Sequence, residues 1–220
     1  DDYVVQWDLF DNGMTRQLLK FGEVSRRLDD HDTLNDGLKM MLEEVDIAPS
    51  TYEGKPNEVR KVVQKAKREK AKKLGLDYSL YSDNQMTDDW NYGLFPNITF
   101  NAHPEGLLIQ RFRPHPRDPE KMTYDIQVLA HPNPDPEYTV PAYMGVEEGV
   151  DISGKIRPER QHIEYGQDGL GDVISQDAFN MKYVQLGLKS RGYAGARYSE
   201  QEQQLRHWHK ELERYMNGEK

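Results

Sequence analysis

Three short segments rich in β-forming residues follow one another in the middle of the chain, each bounded by proline, glycine or aspartate. They span residues 94–101, 106–113 and 122–130. In the last of them Tyr124, Ile126 and Val128 alternate with Asp125 and Gln127, which is the period of a half-buried strand. Because short connections join antiparallel neighbours, these segments predict an antiparallel meander with one buried face.

The segments around this meander predict a hairpin and several helices. Residues 3–10 and 15–21 are β-rich and flank the turn signal Asp11-Asn12-Gly13. Apolar residues recur at helical spacing over 33–45, a helix expected to start at Asp32 or Thr33 and to pack on a sheet. Helices are also predicted over 55–73, 172–188 and from Ser199 onward. The fold class is therefore α+β, with helices on one side of an antiparallel sheet.

The last predicted helix begins with a capping box, Ser199 to Glu202, in which side chains and backbone N–H groups satisfy one another. An apolar stripe follows it at helical spacing, and we expect this stripe to dock on the rest of the protein. Its residues are Leu205, Trp208, Leu212 and Met216.

Residues 55–73 carry nine Lys or Arg residues against Glu58 and Glu69, in a chain whose formal net charge is -9. Gly75 is placed to end this helix. We interpret the segment as the solvated face of an inserted basic helix, within an insertion at about residues 50–85, or as a subunit contact. A nucleic-acid surface is disfavoured, because no aromatic residues are interleaved and the rest of the chain would repel phosphate.

The chain of 220 residues contains no cysteine. Disulfides, thiolate metal sites and cysteine nucleophiles are therefore excluded within it. No apolar run approaches the length of a membrane span, and the first residues do not resemble a signal peptide. These features predict a soluble, cytoplasmic protein without membrane or nucleic-acid partners.

Asp177 is the residue whose position most needs an explanation. On a helix it shares a face with Met181, Val184 and Leu188. An ionised carboxylate on a buried apolar stripe is costly unless it is paired or bound to a metal. Three interpretations remain open on spacing alone: an exposed aspartate near the helix start, a buried ion pair, and a metal ligand.

Two motifs resemble the catalytic domain of Rieske non-heme iron aromatic-ring-hydroxylating oxygenases, in the alpha (large) subunit. One runs from Asp177-Ala178-Phe179-Asn180-Met181 through Val184 to Gly192 and into the helix after Ser199. The other is Phe95-Pro96-Asn97, followed by a long apolar strand and Arg113-Pro114. The resemblance covers most of the chain, and the basic segment supports it least.

The resemblance implies a helix-grip (START/Bet v 1-like) fold, in which an antiparallel sheet wraps on a long C-terminal helix around a cavity. It implies a mononuclear Fe(II) held by two histidines and a carboxylate, with open positions for O₂. By motif match Asp177 is this carboxylate, as metal ligand and catalytic residue. The expected substrate-pocket residues are Phe95, Asn97, Leu108, Phe179 and Asn180.

The chain departs from the family at the histidine ligands. The family's D-x-x-H-x-x-x-x-H segment does not occur, and the seven histidines include no pair at ligand spacing; His207 and His209 would point in different directions on a helix. His103, His115 and His131 are interpreted as surface histidines in turns. We therefore expect residues 1–220 to be a partial catalytic domain, lacking the His pair and the N-terminal Rieske domain with its [2Fe–2S] cluster.

The resemblance implies an oxidoreductase of aromatic hydrocarbon catabolism that uses O₂ and NAD(P)H-derived electrons to hydroxylate a small aromatic substrate. A ferredoxin or reductase would donate the electrons, and the intact enzyme would be a homotrimer or an alpha3beta3 assembly. The isolated chain is expected to be inactive. The alternative is a non-catalytic helix-grip module that binds a hydrophobic small molecule.

Overall fold

The computed structural model describes residues 5–24, 29–136, 138–146, 149–167 and 171–220. Six strands form one antiparallel sheet in chain order. They are β1 Val5–Leu9, β2 Thr15–Leu19, β3 Asp89–Leu94, β4 Ile98–His103, β5 Gly106–Pro114 and β6 Met122–Ala130. The α-helices are α1 Asp36–Glu44, α2 Val59–Lys73, α3 Asp83–Thr87, α4 Gly171–Leu188 and α5 Gln203–Met216. The α+β class is confirmed.

The predicted hairpin and most strand positions are confirmed. β1 pairs with β2 from Val5 opposite Leu19 to Leu9 opposite Thr15. Tyr3 and Val4, which begin the first predicted strand, lie outside the described residues. The strand predicted over 94–101 is wrong in its bounds, because the chain turns at 95–97 and β3 comes before this turn. Pro96 explains the break, since its nitrogen cannot donate to a sheet.

The chain divides into two compact units, Asp1–Phe95 with Phe100–Pro104, and Pro96–Thr99 with Glu105–Lys220. In the first unit, the main hydrophobic cluster joins α1 to α2 through Leu38, Leu42, Val59 and Val63, all at most 2% exposed. The expectation that the first helix packs on a sheet is therefore wrong: its apolar face meets α2 instead.

The first helix also starts later than predicted. Asn35 is its N-cap, and the Asn35 side chain accepts a hydrogen bond from Leu38 N at 2.9 Å. Asp32 and Thr33 lie in a preceding turn, where both backbone N–H groups donate to Asp30 Oδ1. The carboxylate of Asp30 stabilises this turn, so the chain enters the helix only after it.

α2 lies deeper in the first unit than a solvated helix would. Arg60 and Lys67 are both 7% exposed, and each is paired with a carboxylate: Asp88 for Arg60 and Glu44 for Lys67. Other cations of α2 also have acidic partners, at Asp83, Asp46 and Glu69. Gly75, with φ of 73°, follows the helix as predicted.

The second unit contains the β5–β6 hairpin, α4 and α5. Ser199 and Glu202 form the predicted capping box ahead of α5. The apolar stripe of α5 is only partly buried, since Leu205 and Met216 are 47% and 77% exposed. Trp208 anchors the helix, because its Nε1 donates to the backbone carbonyl of Pro96 at 2.7 Å.

Candidate functional site

Asp177 lies in α4, and its side chain is exposed. Of the three interpretations that spacing left open, this exposure agrees with an exposed aspartate and not with a buried ion pair, and metal ligation stays a prediction. The buried ridge of the helix is formed instead by Ile174 and Ala178, which are 4% and 7% exposed, whereas Val184 and Leu188 are exposed. Because apolar residues occupy several sides of α4, spacing could not identify the side that packs.

The β5–β6 hairpin presents one face of uncharged side chains. In its register Leu108 pairs with Val128, Gln110 with Ile126 and Phe112 with Tyr124. Alternation along each strand puts these six side chains on the same face of the hairpin. Leu108 is buried and the other five are half-buried. We call this set of six residues the hairpin face.

Tyr124 is the most constrained polar group of the hairpin face. Its ring stacks on Phe112, with 4.8 Å between ring centroids and 10° between planes, and its hydroxyl donates a hydrogen bond to Gln110 Oε1. Burial, followed by the negative charge of Asp177, raises the pKa of Tyr124 to about 12. The two side chains are therefore close enough for the carboxylate to oppose ionisation of the phenol.

Contacts further along α4 place this helix beside the hairpin. Gln185 Nε2 donates to Glu120 O at 3.4 Å, and Lys189 forms an ion pair with the Glu120 carboxylate. Glu120 lies in the connection between β5 and β6. Together with the influence of Asp177 on Tyr124, these contacts indicate that side chains of α4 and of the residue after it reach β6 and the β5–β6 connection.

The backbone of α4 next to Asp177 is held by a loop residue. Tyr165 Oη donates to the carbonyls of Ala178 and Phe179, at 3.0 and 3.2 Å. A phenol bonded to mid-helix carbonyls fixes this turn of the helix against the loop. The position of the Asp177 side chain therefore depends on both α4 and the loop before it.

The five predicted pocket residues occupy different environments. Leu108 is buried in the hairpin face. Asn97 is half-buried, and its Nδ2 donates to Phe112 O at 2.7 Å, so its amide fixes the chain beside β5. Phe179 is 62% exposed and Asn180 is also exposed. Phe95 is half-buried and belongs to the first unit.

Within the described ranges, no three His, Cys, Asp or Glu side chains are grouped so that they could hold a metal ion. Asp177 has the oxygen chemistry that Fe(II) accepts from proteins, and no described residue forms an ion pair with it. Asp177 therefore fits Fe(II) as a single ligand, and the described residues do not complete a three-ligand site.

One histidine that we interpreted as a surface residue in a turn lies close to a carboxylate. His103 is instead the last residue of β4, and its side chain is 15% exposed. His103 Nε2 lies 3.5 Å from Asp89 Oδ1, and Asn101 Nδ2 donates to both oxygens of Asp89 at 2.9 Å. The strand period of β4 places Asn101 and His103 on one face, which the interpretation as a turn missed.

The sequence also did not identify the polar pair Gln110 and Tyr124 as members of a site. The alternation of β6 did predict that Tyr124 shares a face with Ile126 and Val128. The hydrogen bond to Gln110 depends on the register between β5 and β6, which two separated segments of sequence do not specify.

A search of helices in the described part of the chain finds none long and apolar enough to cross a membrane. Comparison with family models finds a match over residues 20–218 to the family described as "Ring hydroxylating alpha subunit (catalytic domain)". Neither the curated proteins nor the solved structures contain a match to this chain.

Proposed function

The chain belongs to the family of ring-hydroxylating alpha subunits, whose catalytic domain it matches, and on this premise we propose that it forms the catalytic-domain portion of a Rieske-type non-heme iron oxygenase. Its reaction would be the hydroxylation of a small aromatic substrate with O₂ and electrons that derive from NAD(P)H. The match over residues 20–218 is the observation that carries this proposal.

We assign Asp177 as the carboxylate ligand of the iron. Its exposed side chain, without an ion-pair partner among the described residues, is available to a cation. A mononuclear Fe(II) would supply the activation of O₂, which no protein side chain provides by itself. The two histidine ligands of the family have no counterpart at ligand spacing in these 220 residues, so one ligand is what this chain contributes.

The hairpin face would receive the substrate. Its apolar members, Leu108, Phe112, Ile126 and Val128, can bury an aromatic ring, and apolar walls with few polar groups are typical of small-molecule sites. Tyr124 connects this face to Asp177, because the carboxylate is near enough to affect the pKa of the phenol. Leu108 is thus the predicted pocket residue that the geometry supports best.

The cofactors and partners of the intact enzyme follow from the family. A Rieske [2Fe–2S] cluster would pass electrons to the iron, and a ferredoxin or reductase would supply them. A cluster that needs two cysteines cannot be held by these 220 residues, which contain none. The assembly we propose is a homotrimer or an alpha3beta3 complex.

The test is oxygen incorporation by the intact enzyme, loaded anaerobically with Fe(II) and supplied with NADH, its electron donors and ¹⁸O₂. We expect labelled hydroxyl groups in an aromatic product and loss of this product in Asp177→Ala. Gln127→Leu, on the opposite face of β6, is the control and should retain turnover. Substrate binding without any labelled product would instead favour the non-catalytic binding module.

A further inference from the structure

The hairpin face contains two polar side chains in an otherwise apolar surface. Gln110 and Tyr124 lie on neighbouring strands and are joined by the hydrogen bond from the Tyr124 hydroxyl to Gln110 Oε1. Apolar residues flank them in the same register, and Leu108 is the most buried of these at 6% exposure. A polar pair in such a surface gives a bound ring a defined orientation.

The pair retains unused hydrogen-bonding capacity. A glutamine amide has two N–H donors and a tyrosine oxygen can accept, in addition to the bond that already joins them. No other described residue bonds the Gln110 amide or the Tyr124 oxygen. The pair can therefore donate to a ligand and accept from it, which suits a hydroxyl group on an aromatic ring.

The surrounding charges disfavour an anionic ligand. The ten residues on this side of β5 and β6 include none with a charged side chain, and the nearby charge is the negative one of Asp177. Arg111 and Arg113 lie on the opposite side of the hairpin, where both bind the Asp125 carboxylate. In the iron-free chain that the binding test uses, a carboxylate on the ligand would meet repulsion from Asp177 without a cation on this side of the hairpin to offset it.

We propose that Gln110 and Tyr124 form a polar anchor that binds a neutral hydroxyl substituent of the aromatic substrate. This inference rests on the proposed function and narrows the substrate class to phenolic or otherwise hydroxylated aromatic compounds. Phe112, stacked on Tyr124, would contact the ring of the same ligand.

The test is the binding of three naphthalene derivatives to the 220-residue chain, measured by competition with a fluorescent apolar probe. 1-Naphthol carries the hydroxyl, 1-methylnaphthalene has nearly the same shape without it, and 1-naphthoate carries a negative charge. We expect 1-naphthol to bind about threefold to tenfold more tightly than 1-methylnaphthalene, which corresponds to one or two net hydrogen bonds. 1-Naphthoate should bind more weakly than either.

Two variants assign this preference to the anchor. Tyr124→Phe removes the hydroxyl but keeps the stacked ring, and Gln110→Leu removes the amide at similar volume. Each should bring the ratio of the two dissociation constants close to one, because 1-naphthol loses its hydrogen-bond partner in the anchor. Gln127→Leu, on the other side of β6, is the matched control and should keep the wild-type ratio.

The outcomes distinguish a failure of the anchor proposal from a failure of the aromatic site that contains the anchor. Wild-type protein that binds 1-naphthol and 1-methylnaphthalene equally would overturn the anchor and leave the aromatic site in place. Wild-type protein that binds neither compound would contradict the aromatic site, and the anchor with it. The wild-type ratio decides between these results even if a variant fails to fold.

Discussion

Trp208 Nε1 donates a hydrogen bond of 2.7 Å to the carbonyl oxygen of Pro96. Trp208 belongs to α5, and Pro96 lies in the turn between β3 and β4. These are the two regions of the sequence that resemble the oxygenase family, the C-terminal helix and the Phe95-Pro96-Asn97 motif. Through this bond, Pro96 contributes to holding α5 in the second unit.

Replacing this indole should weaken the second unit. Trp208→Phe removes the N–H donor and part of the ring, and we expect a loss of about 1–2 kcal/mol in the free energy of unfolding. Urea unfolding followed by circular dichroism measures it. Met216→Ala, at a position of α5 that is 77% exposed, should change stability by less than about 0.5 kcal/mol. Equal effects of the two variants would contradict the anchoring role of Trp208.

The buried ion pair of the first unit gives a second prediction. Arg60 Nη2 lies 3.0 Å from Asp88 Oδ2, and Asp88 is 2% exposed. Asp88→Ala removes the buried carboxylate that neutralises the guanidinium, and Asn84 and the Phe21 carbonyl supply no charge in its place, so we expect a loss of about 3–5 kcal/mol, measured by urea unfolding. Asp88→Ala combined with Arg60→Met should be less destabilising than the sum of the two single variants, because it leaves no unpaired charge.

An exposed pair on the same helix is the control for that measurement. Lys65 and Glu69 are 3.9 Å apart, with side chains 79% and 62% exposed. Glu69→Gln should cost no more than about 0.5 kcal/mol, since solvent screens this pair. Similar losses of unfolding free energy in Glu69→Gln and Asp88→Ala would contradict the claim that burial makes the Arg60–Asp88 pair important for stability.

Asp125 should make the stability of the protein sensitive to acid. Hydrogen bonds from Arg113 and then Arg111, with their charges, lower the pKa of Asp125 to about 2. The unfolded chain, with an ordinary aspartate pKa of about 3.9, takes up this proton more readily than the folded protein. The stabilisation is therefore present above about pH 4 and lost as the pH falls toward 2.

Asp125→Asn should remove this contribution to the pH dependence. The difference in unfolding free energy between wild type and Asp125→Asn should be larger at pH 5 than at pH 2, in urea titrations at both values. Because other carboxylates also titrate in this range, the comparison uses the difference between the two proteins. A difference that stays constant from pH 5 to pH 2 would rule out the stabilising pairing of Asp125 with the arginines.

The proximity of Asp177 to Tyr124 can be measured directly. Burial and then the Asp177 charge raise the pKa of Tyr124 to about 12. Asp177→Asn removes the charge but not the burial, so the pKa of Tyr124 should fall and still exceed the usual value of about 10. The chain has 13 tyrosines, so the measurement requires a resolved ¹³Cζ resonance of Tyr124. Asp151→Asn should leave this pKa unchanged, and an unchanged pKa in Asp177→Asn would place the carboxylate elsewhere.

Local patterns in the sequence predicted most of the secondary structure. Alternation identified β6, helical spacing identified α2 and α4, and the capping box at Ser199 marked the entry to α5. Each of these signals depends on residues a few positions apart. The start of α1 was misplaced because Asp32, Thr33 and Asn35 are all residue types that can cap a helix, and only Asn35 does so.

Tertiary features were predicted less well. The packing partner of α1 was wrong because an apolar stripe does not specify whether it meets a sheet or a helix. The side of α4 that packs could not be found, since the helix has apolar residues on several sides. Arg60 and Lys67 were placed in a solvated face because their carboxylate partners, Asp88 and Glu44, are distant in sequence.

The candidate site was likewise predicted in part: local motifs identified single residues, and their contacts were not predicted. Asp177 was singled out by its motif, whereas its exposure and its closeness to Tyr124 depend on how α4 lies beside the hairpin. Gln110 and Tyr124 meet only through the register of β5 and β6. The sequence motifs thus single out Asp177 as a metal ligand, which stays a prediction, and the fold was needed to find its surroundings.

The most direct test of the assignment of Asp177 is an anaerobic Fe(II) titration of the 220-residue chain, followed by calorimetry. With Asp177 as its single iron ligand, the wild-type chain should bind Fe(II) weakly, and Asp177→Ala should weaken this binding further, whereas Asp118→Asn should leave it unchanged. Tight, stoichiometric binding of Fe(II) that survives Asp177→Ala would contradict the assignment of Asp177 as the carboxylate ligand.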